Sequence, residues 1–369
     1  MTTGTVVVQE VIPSVLLLTA WLMPSLTGPT LPFGVRTPPA RAHAPVIAEQ
    51  RRAYRWLVGG VGGVLVAAGL ALAFADPRTP LAGFTSIGVL VVSGIGYLRA
   101  RRAILAVKQR EDWYAGLRQA VVADTSLRTR PERFPWLWAV PSLVVLAVTA
   151  VAAVVRYPSM PDQLPMHYGD SGTVDRYAAK SVGSAFSPVF VQLAVTTLLL
   201  VVIWYAFRSR AELDPARPAA SASQHRRYIV RMSAALLVLT ACVDVTVLCA
   251  GWQIWDGDRS LAVLPVLAPA GAGMVAVVAV AIRTGRNGSR LPVPEGEDGT
   301  EPARTDAVHR DDDRYWRFGG VVYVNRQDPA IFVGKRFGIG WSLNFGNPRA
   351  LLPIGVFLGF LLVMQLIGH

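Results

Sequence analysis

Residues 156–185 hold the densest set of side chains capable of chemistry, with His167, Asp170, Asp175 and Lys180 in a polar stretch between two apolar ones. An imidazole beside a carboxylate can exchange a proton or ligate a metal, and a free lysine can take a carboxylate. One histidine and two aspartates at loop spacing are a sparse ligand set, so no metal is expected. Gly169 and Gly172 suit tight turns, and Asp175 and Lys180 are spaced to pair. A capped structural turn is therefore the first reading. The second gives His167, Asp170, Asp175 and Lys180 to a ligand or protein partner. Two other acids, Glu10 and Asp244, lie inside apolar stretches. A carboxyl at bilayer depth costs about 2.5–3.5 kcal/mol, so it faces the bundle interior or water. Asp244, Gln192, Thr196 and Thr197 are candidates for one polar patch, either a proton or ion relay or a buried hydrogen-bonded acid. Cys242 and Cys249 are seven apart on one helix face and read as small packing residues.

Other chemistry has no sequence support. There is no phosphate-cradling Gly-Lys-Ser loop, no HExxH and no GxSxG. No catalytic pair of carboxylates can be placed, so no catalytic residue and no cofactor are expected.

The elements that must hold these residues are membrane helices. The 369 residues are 52% hydrophobic and only 16% charged, against about 25% charged in a soluble chain. That excludes disorder and most soluble enzymes. Stretches near 5–27, 56–75, 81–98, 135–155, 186–207, 233–255, 261–282 and 350–367 each approach the length of about 20 apolar residues that a span requires. No basic residue precedes Arg36, so the first stretch is not expected to be a cleaved signal peptide. The loops 28–55, 99–134, 208–232 and 283–349 hold 5, 9, 6 and 11 Lys plus Arg, whereas 76–80, 156–185 and 256–260 hold 1, 3 and 1. The two sets alternate. The positive-inside rule then puts the four basic loops in the cytoplasm and both termini outside a plasma membrane. The net charge of +12 is read as loops facing an anionic leaflet, with no nucleic-acid partner. The expected fold is an all-α integral membrane protein of about eight spans, with a small cytoplasmic antiparallel β meander before the last.

The chain divides accordingly. Residues 1–134 form a first membrane half, 135–207 two helices around the 156–185 loop, and 208–282 two more, followed by 283–313, 314–349 and a last helix in 350–369. Residues 283–313 and 213–224 are polar and rich in Gly, Pro, Ala or Ser, and read as flexible linkers. In 100–122, Ile104, Val107, Tyr114, Leu117 and Val121 recur at helical steps among Arg101, Arg102, Lys108, Arg110 and Arg118. That suits either a cationic helix lying on the inner leaflet or a cytosolic extension of the third span. Residues 314–349 crowd together eight aromatics, with strands expected at Val321–Val324, Ile331–Val333 and Trp341–Phe345. The aromatics read first as a mini-core. The alternative is a docking face for a partner or lipid headgroup, using Lys335, Arg336, Trp341 and Asn344.

Two of these segments resemble known families. Leu164, Pro165, His167, Gly172, Asp175, Lys180 and Ser181 fall within 18 residues. They resemble the LPxHxxxxGxxDxxxxKS signature of the bacterial membrane family called domain of unknown function 1648, shared with sporulation-delay-toxin immunity proteins. Tyr315-Trp316, Asn325, Asp328-Pro329, Phe332-Val333, Lys335-Arg336, Gly340-Trp341 and Leu343 to Pro348 are similar to domain of unknown function 5808, which implies no chemistry. Phe33-Gly34-Val35-Arg36-Thr37-Pro38 resembles a loop of the immunity proteins, although there a Trp and a His follow at set distances and here Pro39-Ala40-Arg41-Ala42-His43 departs from that pattern. Mechanically it holds Arg36 at the headgroup level in a Pro-framed turn. The resemblance implies a non-enzymatic protein of the immunity or signal-transduction type. It would sense or block an extracellular peptide and couple to a cytoplasmic regulator. A proton- or ion-coupled transporter is the alternative, with Asp244, Glu10 and the Pro265, Pro269, Gly271 and Gly273 helix as its support. A membrane enzyme acting on lipid-linked substrates is a third option.

Overall fold

The computed structural model describes residues 3–75, 81–122, 126–129, 131–168, 173–209, 211–260, 262–293, 306–336 and 340–352, and 354–355, 358–359 and 362 beyond them. The chain is mostly helical. Its helices are α1 (Thr3–Leu26), α2 (Pro45–Leu57), α3 (Gly63–Ala75), α4 (Leu81–Arg110), α5 (Ser126–Thr129), α6 (Val140–Arg156), α7 (Val182–Ala185), α8 (Ser187–Phe207), α9 (Pro218–Asp256) and α10 (Val263–Thr284). A π-helical turn at Val58–Gly62 joins α2 and α3 into one rod. Gly62 sits where α1 comes closest, since a Cβ there would lie 2.5 Å from Leu17 Cδ1.

Among the described residues five helices are long and apolar enough to cross a membrane: Pro45–Ala75, Trp136–Ser159, Ser187–Phe207, Pro218–Asp256 and Val263–Gly288. They coincide with the second and the fourth to seventh expected stretches. Their outward faces carry exposed Val61, Leu143, Val155, Leu193 and Val275, which suits a lipid surroundings. The described residues do not account for the other three expected spans. In α1 the described apolar stretch, Ile12–Ser25, is short. Residues 76–80 before α4, and most of 350–367, lie outside the described residues.

The closest helix packing falls in two groups. In the first, α1, α2 and α3 pack on α4 around Phe33, Val35, Ile47, Tyr54, Val58, Tyr97, Ile104 and Trp113. Ile47, Tyr54 and Val58 recur at seven and four residues, one face of a helix. In the second, α9 lies against α6, α8 and α10. Pro218 opens α9, where its missing N–H costs nothing, and Gly257 at φ 72° ends it in the left-handed conformation.

Several loops differ from expectation. Residues 100–110 continue α4 as one helix, with Ile104 buried, so this part is an extension of α4 and not a separate surface helix; the helix expected through 122 stops at Arg110, and 111–116 are turn and Gln119–Ala120 strand. Residues 218–224, expected as linker, are the first two turns of α9, with Ala220, Ala222 and Ser223 buried. The strands form four separate pairs: β1 (Gln119–Ala120) parallel to β4 (Val308–His309), and three antiparallel pairs. These are β2 (Gln163–Tyr168) with β3 (Val174–Ala179), β5 (Trp316–Arg317) with β6 (Val322–Tyr323), and β7 (Phe332–Gly334) with β8 (Trp341–Leu343). The expected meander is thus two hairpins, bridged where Tyr323 meets Asn344 in parallel. The cause is the Asn325–Pro329 turn, whose backbone bonds to the Asn344 amide and not to a neighbouring strand.

Candidate functional site

At one end of α9 stands the β2–β3 hairpin. Leu164 is fully buried with Ala153, Met160, Ala185 and Trp255. Trp255 Nε1 donates to the Ala185 carbonyl at 2.8 Å. Ser181 caps α7 in a reciprocal box with Ser184, closing two orphan backbone donors. The hairpin also grips the α9–α10 connection: Tyr168 Oη donates to the Asp258 carbonyl at 3.1 Å, and Val174 N to Arg259 O at 3.1 Å. Arg156 pairs with Asp256 and stacks 4.4 Å over Trp252.

His167 and Asp175 come together on the exposed face of this hairpin, Nδ1 to Oδ1 at 2.7 Å. Lys180 does not pair with Asp175; its Nζ donates to the Met160 carbonyl at 2.8 Å and lies over Tyr157. It therefore pins the loop to the end of α6. Asp170 and its flanking glycines lie outside the described residues. Among the described residues no group of three His, Cys, Asp or Glu is placed to hold a metal.

In mid-helix, Asp244 is fully buried where α6, α8 and α9 meet. Thr196 Oγ1 donates to its Oδ1 at 2.6 Å, and Ser142 Oγ to Oδ2. Gln192 is fully buried too, its amide atoms without a hydrogen bond, whereas Thr197 faces outward. Among the described residues the acid is thus met by hydroxyls and no buried cation. Glu10 lies on α1, and its side chain is outside the described ones. Cys242 lies against Gly273 of α10, as a packing residue would.

At the other end of α9 the arginine-rich loops converge on a buried ion cluster. Arg36 pairs with Glu212 and, at 3.4 Å, with Asp312. Arg336, 1% exposed, pairs with Asp312 and Asp313. Lys108 Nζ lies 2.7 Å from Asp311 and 2.8 Å from Asp313, and Arg286 lies 2.8 Å from Glu212. Four cations thus meet four carboxylates. The members come from the 28–55 loop, α4, the 208–217 loop, the end of α10 and the C-terminal segment. Gly34 makes the approach possible: its φ is +69°, and a Cβ would meet Tyr97 Oη at 2.7 Å. The carbonyls of Phe33 and Gly34 accept from Arg101 and Arg336, both at 3.2 Å.

For Arg36, Glu212 and Asp313 burial opposes the charge and the partners outweigh it, whereas for Arg286 burial dominates and lowers the pKa. The Arg36 guanidinium is desolvated, yet Glu212 and Asp312 hold its pKa above the ordinary arginine range. Burial pushes Glu212 up, but Arg36 and Arg286 draw it well below 4.5. Asp313 is likewise lowered by Arg336 and Lys108 against its burial. His309 is lowered by burial first and then by Arg36, so it stays neutral near pH 7.

The docking candidates of 314–349 fare unequally. Lys335 is exposed. Arg336 is consumed by the cluster. Asn344 is fully buried, accepting from Asn325 N and Gly346 N and donating to the carbonyls of Asn325, Asp328 and Ala330. Its place is therefore inside the turn and not on a docking face. Trp341 packs on Tyr228 of α9 with ring centroids 6.1 Å apart. Sequence reasoning left out Glu212, Asp311–Asp313, Lys108, Arg286, Ser142 and Trp255. The Asp311–Asp313 run was the available signal, being the only acidic triplet in a chain dominated by arginine.

Comparison with protein families fits these two ends. Residues 144–192 match the model described as Domain of unknown function (DUF1648), which spans most of α6, the hairpin and the start of α8. Residues 326–351 match the model described as Family of unknown function (DUF5808), which covers the Asn344 turn, β7, β8 and Arg336. Comparisons with curated proteins and with solved structures give no match. The apolar helices and these two segments mark a membrane protein.

Proposed function

We propose that this is a multi-pass signalling or immunity-type membrane protein. Its 156–185 hairpin receives an extracellular peptide, and its C-terminal segment holds a cytoplasmic partner. Eight spans, with both termini outside, complete the threading. The supporting observation is α9: one helix has Trp255 in the hairpin core and Tyr228 against Trp341 of the C-terminal segment. A ligand that shifts the hairpin would then bias the far end through a rigid element, as coupling between two sites requires. The exposed His167–Asp175 pair and Tyr177 offer the contact surface. The test is a strain lacking the gene, challenged with secreted peptides of its neighbours, with complementation by wild type and by His167→Ala/Asp175→Ala. Peptide sensitivity that returns with wild type but not with the double variant supports the reading. Unchanged sensitivity across all peptides overturns it.

A second reading, proton- or ion-coupled transport, is favoured by Asp244, buried among hydroxyls at a three-helix contact. Asp244→Asn should abolish coupled flux in vesicles; flux that is unaffected removes the coupling role.

A further inference from the structure

The turn between β5 and β6 is strained and carries an apolar tip. Phe318, Gly319 and Gly320 follow one another at φ 47°, 72° and 91°. Glycine takes this left-handed region freely, whereas for a phenylalanine it is an outlier that the surroundings must hold. The hold comes from α4. Tyr97 Oη donates to the Gly319 carbonyl at 2.7 Å, and a Cβ on Gly319 would lie 2.7 Å from Leu98 Cδ2. The side chain at the strained position finds no burial within the fold. Phe318 is 82% exposed, and Val321 close by is 52% exposed.

Two helices fix the height of this turn. On α4, whose 81–98 stretch is one of the expected spans, Phe84, Ile87, Val91, Ile95 and Leu98 are exposed at steps of three or four residues. That is one apolar helix face with no protein against it, the face that lipid covers. One step further the same face carries Arg102, also exposed. Leu98 is therefore where the lipid-facing stripe ends. On the α2–α3 rod the change falls at Trp56, which is 76% exposed. Arg51, Arg52 and Arg55 precede it, and an apolar run from Leu57 follows. Leu57 and Tyr54 both close on Gly96 of α4, at 3.1 Å from where its Cβ would stand. At a rise of about 1.5 Å per residue, Trp56 and Leu98 thus lie within about one helical turn of each other in height. An exposed Trp, and a switch from apolar side chains to arginine, mark the headgroup level of a bilayer. The turn that touches Leu98 stands at that level, on the outward side of α4.

We propose that the β5–β6 turn dips into the bilayer, with Phe318 and Val321 among the first acyl carbons beside Leu98. Moving a phenylalanine ring out of water is favourable, and this offsets a backbone conformation that no packing inside the protein explains. The C-terminal segment is then held to the membrane twice, by the Arg336 cluster to the helices and by this turn to the lipid. The contact is independent of any peptide at the 156–185 hairpin.

The test uses full-length protein in phosphatidylcholine nanodiscs, with Cys242 and Cys249 replaced by alanine. A nitroxide is attached to the Phe318→Cys variant or to the Gln327→Cys variant, the latter exposed in the same segment. Collision with oxygen, which concentrates in lipid, is compared with collision with a water-soluble nickel chelate. The label at 318 should favour oxygen several-fold over the label at 327. Equal access of the chelate to both labels would put the turn in water, and a label at 318 closed to both reagents would mean that protein covers it. Either result overturns the proposal. A second measurement uses unlabelled protein. Phe318→Asn suits a positive φ and is polar, whereas Phe318→Leu keeps the apolar character without the ring. In nanodiscs, amide exchange across Trp316–Tyr323 should rise at least threefold in Phe318→Asn and stay near wild type in Phe318→Leu. The opposite order would show that backbone conformation alone governs the turn, and would overturn the lipid contact even if the label disturbed the site.

Discussion

Arg336 and Lys335 are neighbours with opposite fates. Arg336 is 1% exposed and bonded to two aspartates, while Lys335 is exposed. Removing one partner of a buried pair leaves the other charge uncompensated, at about 3–5 kcal/mol. Arg336→Met should therefore lower the melting temperature of the detergent-solubilised protein sharply, and Lys335→Met should leave it unchanged. Equal effects would remove the buried cluster from the stability of the fold. Asp244→Leu should cost about 1–3 kcal/mol in the same assay, since it strands the Ser142 and Thr196 hydroxyls. At this scale the sequence was legible in part. Asp244 with Thr196 and Gln192 could be drawn from depth alone, because a helix places such groups predictably. Ser142, on a different helix, could not. Arg336 was visible as a residue, yet its partners lie 23 and 24 positions away with no periodicity joining them. The Asp311–Asp313 run looked like a solvated linker because a charge run carries no mark of what it faces.

Helix α9 is the element on which both ends depend. Trp255→Ala removes a side chain that is 1% exposed, together with its bond to Ala185. Aromatic-to-alanine changes in a core cost about 3–5 kcal/mol. Amide exchange in Gln163–Ala179 should accelerate while that of α10 stays slow; a uniform change along the chain would mean global loosening and no specific anchor. Apolar stretches near the length of a span located the apolar parts of α6, α8, α9 and α10 to within a few residues. They missed the first turns of α9 because Ala, Ser and Pro read as linker residues, and what makes 218–224 helical is packing: Ala222 is fully buried, and Gln224 donates to the Leu291 carbonyl. The hairpin at 156–185 was expected as a capped turn, and Ser181 supplies that cap. The Asp175–Lys180 pair was read from spacing, and the bulged register between Pro165 and Tyr168 turns Asp175 toward His167 instead.

For the whole molecule, the ion cluster ties the α1–α4 group to the α6–α10 group through Arg36–Glu212. This predicts a pH dependence with a definite sign. His309 is held below its ordinary 6.5, so the unfolded chain takes the proton first and stability falls as pH drops below about 6.5. Glu212 is held well below 4.5, so its contribution is complete above that pH and is lost as pH falls toward the folded value. Melting temperature against pH should thus be flat near neutrality, decline gently below 6.5 and decline steeply below 4.5. Arg336→Met should blunt the steep part; a profile that rises on acidification would contradict the cluster. Three of the basic loops supply the cations of this cluster, Arg36, Lys108, Arg286 and Arg336.

The most direct measurement is thiol labelling in intact cells, with Cys242 and Cys249 replaced by alanine. Single cysteines go at Arg176 on the hairpin and Gln327 in the C-terminal segment, both exposed. An impermeant maleimide should modify the Arg176→Cys variant in intact cells and the Gln327→Cys variant only after permeabilisation. Labelling of both from outside would put the hairpin and the C-terminal segment on one side of the membrane, and α9 would no longer link two faces. The reversed pattern would put the His167–Asp175 pair in the cytoplasm and remove it from any extracellular peptide.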